Sequence, residues 1–302
     1  MTVAPRALVV SRPTEYDHLV ARHGSRSQVE FVLSGRGRSL DELDRSHAHQ
    51  QEALQMVAAA VPVDWRRASL DRADLDRWLF GPEDVVIAVG QDGLVANVAK
   101  YLSGQPVVGV DPEPTRNAGV LVRHRPDRVA AILRRVAAAS APDEPCTGTA
   151  ELRSLVELAT GDGRSLRALN EVYIGHPSHQ SARYSLVLDR AAERQSSSGV
   201  LVGTATGATS WCRSVHRERR LDWALPETTS TDLAWFVREA WPSPSSGTDL
   251  TAGLLVDGAE LVIESESDRL VAFGDGIESD RLEIGWGERL RIRRSARSLL
   301  LL

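Results

Sequence analysis

Lysine is almost missing from this chain of 302 residues: Lys100 is its only one, and the rest of its 36 basic residues are arginine. We read that bias as composition rather than function. Cysteine is nearly as scarce. Cys146 and Cys212 stand far apart, neither in a Cys-x-x-Cys pair nor beside a histidine at zinc spacing, which excludes a structural zinc site and fits a reduced, cytoplasmic protein. No run of 18 apolar residues exists, so no helical membrane span is expected, and residues 1–10 lack the apolar core of a signal peptide. The apolar tail, residues 299–302, is too short to span anything and is expected to end a strand or pack on a neighbouring surface. Excess charge of one sign is also missing. A net charge of −5 gives no basic footprint for nucleic acid or an anionic membrane. There is no internal repeat and no long low-complexity tract.

What is present begins as an alternation of strands and helices. Residues 7–10 form a short apolar run ending at Ser11-Arg12-Pro13, a buried strand followed by a turn. Thr14-Glu15 opens a helix that Gly24 closes. Ser39 and Glu42 have capping-box spacing at the start of a longer helix that Pro62 stops. The run DVVIAV at residues 84–89 is β-branched and continuous, as in fully buried parallel strands. A helix over 94–102, a second buried strand PVVGV over 106–110 and a helix over 126–139 follow. Such an alternation predicts a parallel sheet with helices on its faces. Composition shifts over residues 141–148, rich in Pro, Gly, Thr and acid, and we place the domain boundary there: an α/β domain over 1–145 and a β-rich domain over 146–302. In the latter, alternating segments at 151–159, 166–174, 184–188, 200–202, 253–256, 260–264, 270–273, 282–284 and 290–292 are separated by turn signals, with one helix near 207–219.

The chemistry points to one place. DVVIAV runs into Gly90-Gln91-Asp92-Gly93 and then a helix. Unpaired N–H groups and the helix dipole at such a junction favour an anion, and glycine lets a phosphate approach the backbone. Asp92 has two readings here. It caps the following helix, a role aspartate favours, or it serves phosphate chemistry, by accepting a proton from an attacking hydroxyl or helping to hold magnesium.

Gly-x-Asp-Gly after a buried strand resembles the GGDGT motif of the NAD kinases and the diacylglycerol-kinase-like lipid kinases. Three further blocks select the NAD kinase side: PVVGVDPEPTRNAGVL, Asn170-Glu171 within LRALNEVYI, and SGVLVGTATGATSW at residues 198–211. Together the four blocks span roughly residues 84–211. The resemblance implies a Rossmann-like α/β domain followed by a β-sandwich-like domain, and transfer of the terminal phosphate of ATP, or polyphosphate, to a hydroxyl of NAD or a related nucleotide, with magnesium. By position it makes Asp92 the residue that activates the acceptor hydroxyl. It places Gly90, Gln91, Gly93, Thr204, Thr206, Gly207, Ala208 and Thr209 along the nucleotide and its phosphates, and Asn170, Glu171, Ser210 and Trp211 against the acceptor. It also implies a homodimer or homotetramer whose partners are nucleotides or dinucleotides, not nucleic acid or membrane.

The chain departs from the pattern in named positions. GGDGT reads Gly90-Gln91-Asp92-Gly93-Leu94, an aspartate becomes Ser198, and Ala205, Ala208 and Trp211 replace Pro, Ser and Tyr. Two alternatives therefore stay open: a kinase of another small-molecule or lipid hydroxyl, and a nucleotide-binding relative without turnover. Other residues read more plainly. Lys100 is expected to be solvated or interdomain. His47 and His49, two apart on a helix, do not share a face. His176 and His179 mark a hairpin loop. Gly274-Asp275-Gly276 is a turn rather than a calcium loop. Arg213, Arg217, Arg219 and Arg220 form a solvated helix face, with phosphate neutralisation as the second reading. Trp223, Trp235, Trp241 and Trp286 are expected in the β core or a subunit contact.

Overall fold

The computed structural model describes residues 4–114, 119–138 and 150–302. Cys146, residues 141–148 and the 115–118 part of the second block lie outside the described residues. The chain is a mixed α/β protein with large sheets that divides into two compact units. The first comprises Met1–Tyr101, Gln105–Ala150 and Leu300–Leu302, and the second Leu102–Gly104 and Glu151–Leu299.

The first unit starts with β1 (Arg6–Ser11), α1 (Glu15–His23), α2 (Arg26–Ser34) and α3 (Asp41–Ala60). It continues with β2 (Arg66–Asp71), β3 (Asp84–Val89), α4 (Asp92–Ala99), β4 (Pro106–Val110) and α5 (Val129–Ala138). The strands pair in the order β2-β1-β3-β4, all parallel, and Leu300 and Leu301 add a further parallel strand beside Pro106 and Val107. Every residue of β3 is buried, which is why its sequence shows no polar alternation. Apolar side chains of α3 and α5, among them Ala53, Val57, Val129 and Leu133, pack with Ile87, Val89, Val108 and Val110 in one core. Thr14 and Asp17 close a reciprocal capping box on α1, and Gly24 ends it in the left-handed conformation. The expected box at α3 does not form. Leu40 occupies the N-cap position without a side-chain bond, and the Ser39 hydroxyl accepts from the Asp41 amide at 3.1 Å.

The second unit contains β5 (Glu151–Thr160), β6 (Ser165–Ala168), β7 (Glu171–Gly175), β8 (Ala182–Leu188), β9 (Ala191–Ser197) and β10 (Gly199–Gly203). A short 3-10 turn (Gly207–Thr209) and α6 (Trp211–Glu218) follow. Then come β11 (Leu233–Arg238), β12 (Ala252–Leu255), β13 (Leu261–Ser265), β14 (Leu270–Gly274), β15 (Ile277–Ile284) and β16 (Arg289–Leu301), whose last two residues, Leu300 and Leu301, belong to the first unit. One sheet runs β12-β11-β10-β7-β14-β15 and its pairings are antiparallel. Facing it, β5, β6, β8, β9, β13 and β16 pair antiparallel. Inward residues of both sheets, from Leu158 and Ile263 to Val202 and Trp235, bury one core. Among the described residues no helix is long and apolar enough to cross a membrane.

Candidate functional site

In the first unit, strand order fixes where a ligand can sit. The order β2-β1-β3-β4 reverses direction between β1 and β3, and open parallel sheets bind ligands beyond the carboxyl ends of their strands at such a point. A cavity of about 500 Å³ lies there, and each strand contributes its following residues: Arg12 and Pro13 after β1, Asp71 and Arg72 after β2, Gly90 and Gln91 after β3, Pro112 and Glu113 after β4. The buried Gln50 amide donates to Val89 O at 3.0 Å and ties α3 to the cavity floor. The Gln91 side chain accepts from Arg12 Nη2 at 2.7 Å. Burial, and then the charge of Arg72, hold the Arg12 guanidinium below its ordinary pKa.

Asp92 does not cap α4. Gln91 is the N-cap residue, though its side chain makes no capping bond, and Asp92 is the first helical residue. The Asp92 carboxylate turns instead to a neighbouring segment: Oδ1 accepts from Leu121 N and Val122 N, both at 2.9 Å, and Oδ2 accepts from Val120 N at 2.8 Å. Three charge-assisted bonds fix the carboxylate and leave Oδ2 one acceptor position. Leu94, in place of the motif's threonine, is buried and packs beneath Gly90, so the lost hydroxyl is not missing from the cavity lining.

The second unit brings the other candidates together. Asn170 and Glu171 stand at the start of β7, where Glu171 pairs in register with Gly203 at the end of β10. Asn170 O accepts from Thr204 N at 2.8 Å. The Thr204 hydroxyl donates to Leu169 O and accepts from the amides of Thr206 and Gly207 at 3.1 and 3.2 Å, which folds residues 204–207 into a tight turn. A side chain at Gly207 would strike Asn170 O, since its Cβ would lie 2.1 Å away. The Thr209 hydroxyl donates to Thr206 O, and Ser210 Oγ to Gly207 O. Two buried polar atoms in this constellation, Glu171 Oε2 and Thr206 Oγ1, have no hydrogen-bond partner among the described residues. Burial, and then the nearby Asp275 charge, push the Glu171 carboxyl up to about 8. Trp211 stacks on Tyr173 at 5.7 Å, with the Arg238 guanidinium 5.5 Å from its ring. The Cys212 thiol is buried, with Sγ against Gly203, and burial raises its pKa. Ala208 is buried in the turn.

Asp275 escaped the sequence reading. Its residue sits in the left-handed region at φ 53°, and its carboxylate accepts from Leu169 N at 2.8 Å and Asn170 N at 2.7 Å. The signal was an aspartate between two glycines, read only as a turn. Of the two positions expected for Lys100, the solvated one is not found: it is buried, with Nζ 5.7 Å from the Tyr101 ring. Arg219 is not part of a solvated face, because it donates to Thr251 O and Val237 O. Trp235 is in the core and Trp223 stacks on Phe236, whereas Trp241 and Trp286 are exposed. His47 and His49 diverge, one to Thr14 and the other to Glu113.

A glycine turn beside a cavity at the switch point of a parallel sheet, joined in one chain to a β-rich unit, defines a mixed α/β protein. Known relatives narrow the class. The chain is 30% identical over 229 residues to an NAD kinase of Natronomonas pharaonis, a match covering 69% of this chain and 77% of that protein. It is 25% identical over 256 residues to the mitochondrial NAD kinase 2 of rat and of human, covering 70% of this chain. That match spans 60% of the rat protein and 58% of the human one. No family model matches the chain. It belongs to the NAD kinase family.

Proposed function

We propose that the chain is an NAD-kinase-like phosphotransferase, moving the terminal phosphate of ATP or polyphosphate to a hydroxyl of NAD or a related nucleotide. The observation that carries this reading is the constellation around Asn170. A turn of backbone amides and hydroxyls, closed on Asn170 and Glu171 and locked by Asp275, presents two buried polar atoms with no hydrogen-bond partner among the described residues, Glu171 Oε2 and Thr206 Oγ1. Buried polar groups are normally satisfied, so such atoms suit a polar ligand. Asn170, Glu171, Ser210 and Trp211 then hold the acceptor dinucleotide. Thr204, Thr206, Gly207, Ala208 and Thr209 follow its phosphates.

Asp92 takes the acceptor hydroxyl on the open position of Oδ2. Phosphoryl transfer through a loose transition state asks chiefly for alignment, and a carboxylate held by three amides supplies an acceptor in a fixed place. Among the described residues no group of three or more His, Cys, Asp or Glu could hold a metal ion. Magnesium needs only one or two carboxylates beside substrate phosphates, and Asp71, on the cavity wall, fits that demand. Bound there, it would neutralise phosphate charge.

The direct test is formation of NADP from NAD, ATP and magnesium by the purified chain, read by a dehydrogenase that accepts only NADP. Turnover supports the reading. Saturable nucleotide binding without turnover, seen by thermal shift, would replace it with a binding role.

A further inference from the structure

The departure at Gln91 has a structural partner. In a glycine-rich phosphate turn, a side chain at this position looks like an obstruction. Gln91 instead sends its amide oxygen to Arg12 Nη2, bridging the ends of β1 and β3 across the mouth of the cavity. Arg72, after β2, lines the same cavity and donates from Nη1 to Asn97 Oδ1 at 3.3 Å.

The acids that line the cavity have partners other than its two arginines. Glu113 accepts from Ser46 Oγ at 2.7 Å and faces His49 at 3.3 Å, Asp71 accepts from the Ala73 amide at 2.8 Å, and Glu15 faces Arg38 at 3.5 Å. Arg12 and Arg72 are each held by an amide oxygen, and among the described residues neither forms an ion pair. An amide oxygen orients a guanidinium without neutralising it. Two such cations face one cavity and, among the described residues, most of their planar N–H donors are uncommitted, which suits the bidentate recognition of phosphate. The two are near enough for Arg72 to disfavour the charge on Arg12, a repulsion that a bound polyanion would relieve.

We propose that Gln91 is a positioning residue that holds Arg12 beside Arg72, and that the two guanidiniums form a subsite for a linear phosphate chain, whether the triphosphate of a nucleotide or inorganic polyphosphate. This rests on the phosphotransferase reading for its role in donor binding, but the binding itself can be measured alone. The substitution of the motif's second glycine then moves phosphate recognition from backbone to side chains.

Calorimetric titration of the full chain with inorganic tripolyphosphate and with ATP tests it, using wild type, Arg12→Ala, Arg72→Ala, Gln91→Gly and Gln91→Glu. Each arginine variant should weaken binding by roughly ten-fold or more, with a shallower salt dependence between about 50 mM and about 200 mM salt. Gln91→Glu separates charge from scaffolding. It keeps Arg12 anchored yet neutralises it, so a structural role would leave binding intact, whereas the subsite should lose roughly ten-fold. Gln91→Gly should lose less than Gln91→Glu. A loss for ATP, with or without tripolyphosphate, assigns the subsite to a nucleotide, and a loss confined to tripolyphosphate assigns it to polyphosphate. Binding within about two-fold of wild type in both arginine variants and Gln91→Glu, or no saturable binding of either probe by wild type, overturns the proposal. If the variants lose binding while wild type forms no NADP, the subsite stands and the kinase reading fails. If NADP forms equally well in all variants, the reverse holds.

Discussion

Replacing Asp92 by alanine removes the acceptor of three backbone amides at once, those of Val120, Leu121 and Val122. Hydrogen bonds to a charged group contribute about 1.5–3 kcal/mol each, and an orphaned donor costs about 1–3 kcal/mol where water cannot reach it. The three bonds are only partly buried, so the lower ends apply and Asp92→Ala should cost about 3–5 kcal/mol. Asp92→Asn keeps one oxygen for Leu121 and Val122 but turns an NH₂ toward the Val120 amide, for a loss of about 2–3 kcal/mol. At roughly 2–4 °C per kcal/mol for domains of this size, the melting temperature should fall in the order wild type, Asp92→Asn, Asp92→Ala, by about 6–20 °C for alanine. Hydrogen exchange localises the effect, because the amides of residues 120–122 should exchange on the order of 100-fold faster in the alanine variant. Gly109 lies against the same segment, a Cβ there meeting Leu121 O at 2.1 Å, so the loosening should reach the end of β4. If Asp92→Ala melts within about 2 °C of wild type and protects residues 120–122 equally well, the reasoning is wrong and the carboxylate carries no structural burden.

Glu171 gives a pH-dependent expectation. Its folded pKa of about 8 lies above the ordinary 4.5, so between those values the unfolded chain ionises while the folded chain keeps its proton. Stability is therefore lost as pH rises from 4.5, by up to about 1.4 kcal/mol per unit, and the loss levels off above 8. Glu171→Gln should escape it, so its advantage in urea melts should grow over that window by up to about 5 kcal/mol, and a pH-independent difference would count against a neutral buried Glu171. Gly207→Ala forces a Cβ to 2.1 Å from Asn170 O, backbone against backbone, and should cost about 2 kcal/mol or more and abolish dinucleotide binding. A variant that binds normally would show that the turn is looser than described. Asp275→Ala should orphan the amides of Leu169 and Asn170 and weaken NAD binding more than ATP binding, checked by titrating each ligand. Equal losses would contradict a role confined to Asn170.

The sequence was most readable where one constraint acted alone. DVVIAV and PVVGV lie buried in a parallel sheet, so continuous β-branched runs located β3 and β4. Residues 191–197 and 66–71 escaped because AAERQSS and RRASLD carry too few apolar residues to signal a strand; their pairing to β8 and β1 makes them strands. Residues 166–174 read as one strand but form two, because Asp275 pulls the amides of Leu169 and Asn170 out of the ladder. The candidate site was readable as motif residues, since Gly90, Asp92, Asn170 and Thr204 sit at recognisable spacings. Their bonding was not. Nothing in local sequence shows that Asp92 serves residues 120–122, that Arg12 meets Gln91 across 79 positions, or that Asp275 holds Asn170 across 105. Such contacts come from topology, which here gathers the ends of four strands around one cavity.

The most direct measurement is the rate of NADP formation from NAD, with ATP or polyphosphate as donor and magnesium present, by wild type and Asp92→Asn under conditions where calorimetry shows both to be folded and to bind NAD. Wild type should turn over, and the variant should lose roughly 100-fold or more in kcat while KM for NAD changes little. Equal turnover by the two, or none by a wild type that binds both substrates, would contradict phosphoryl transfer at Asp92.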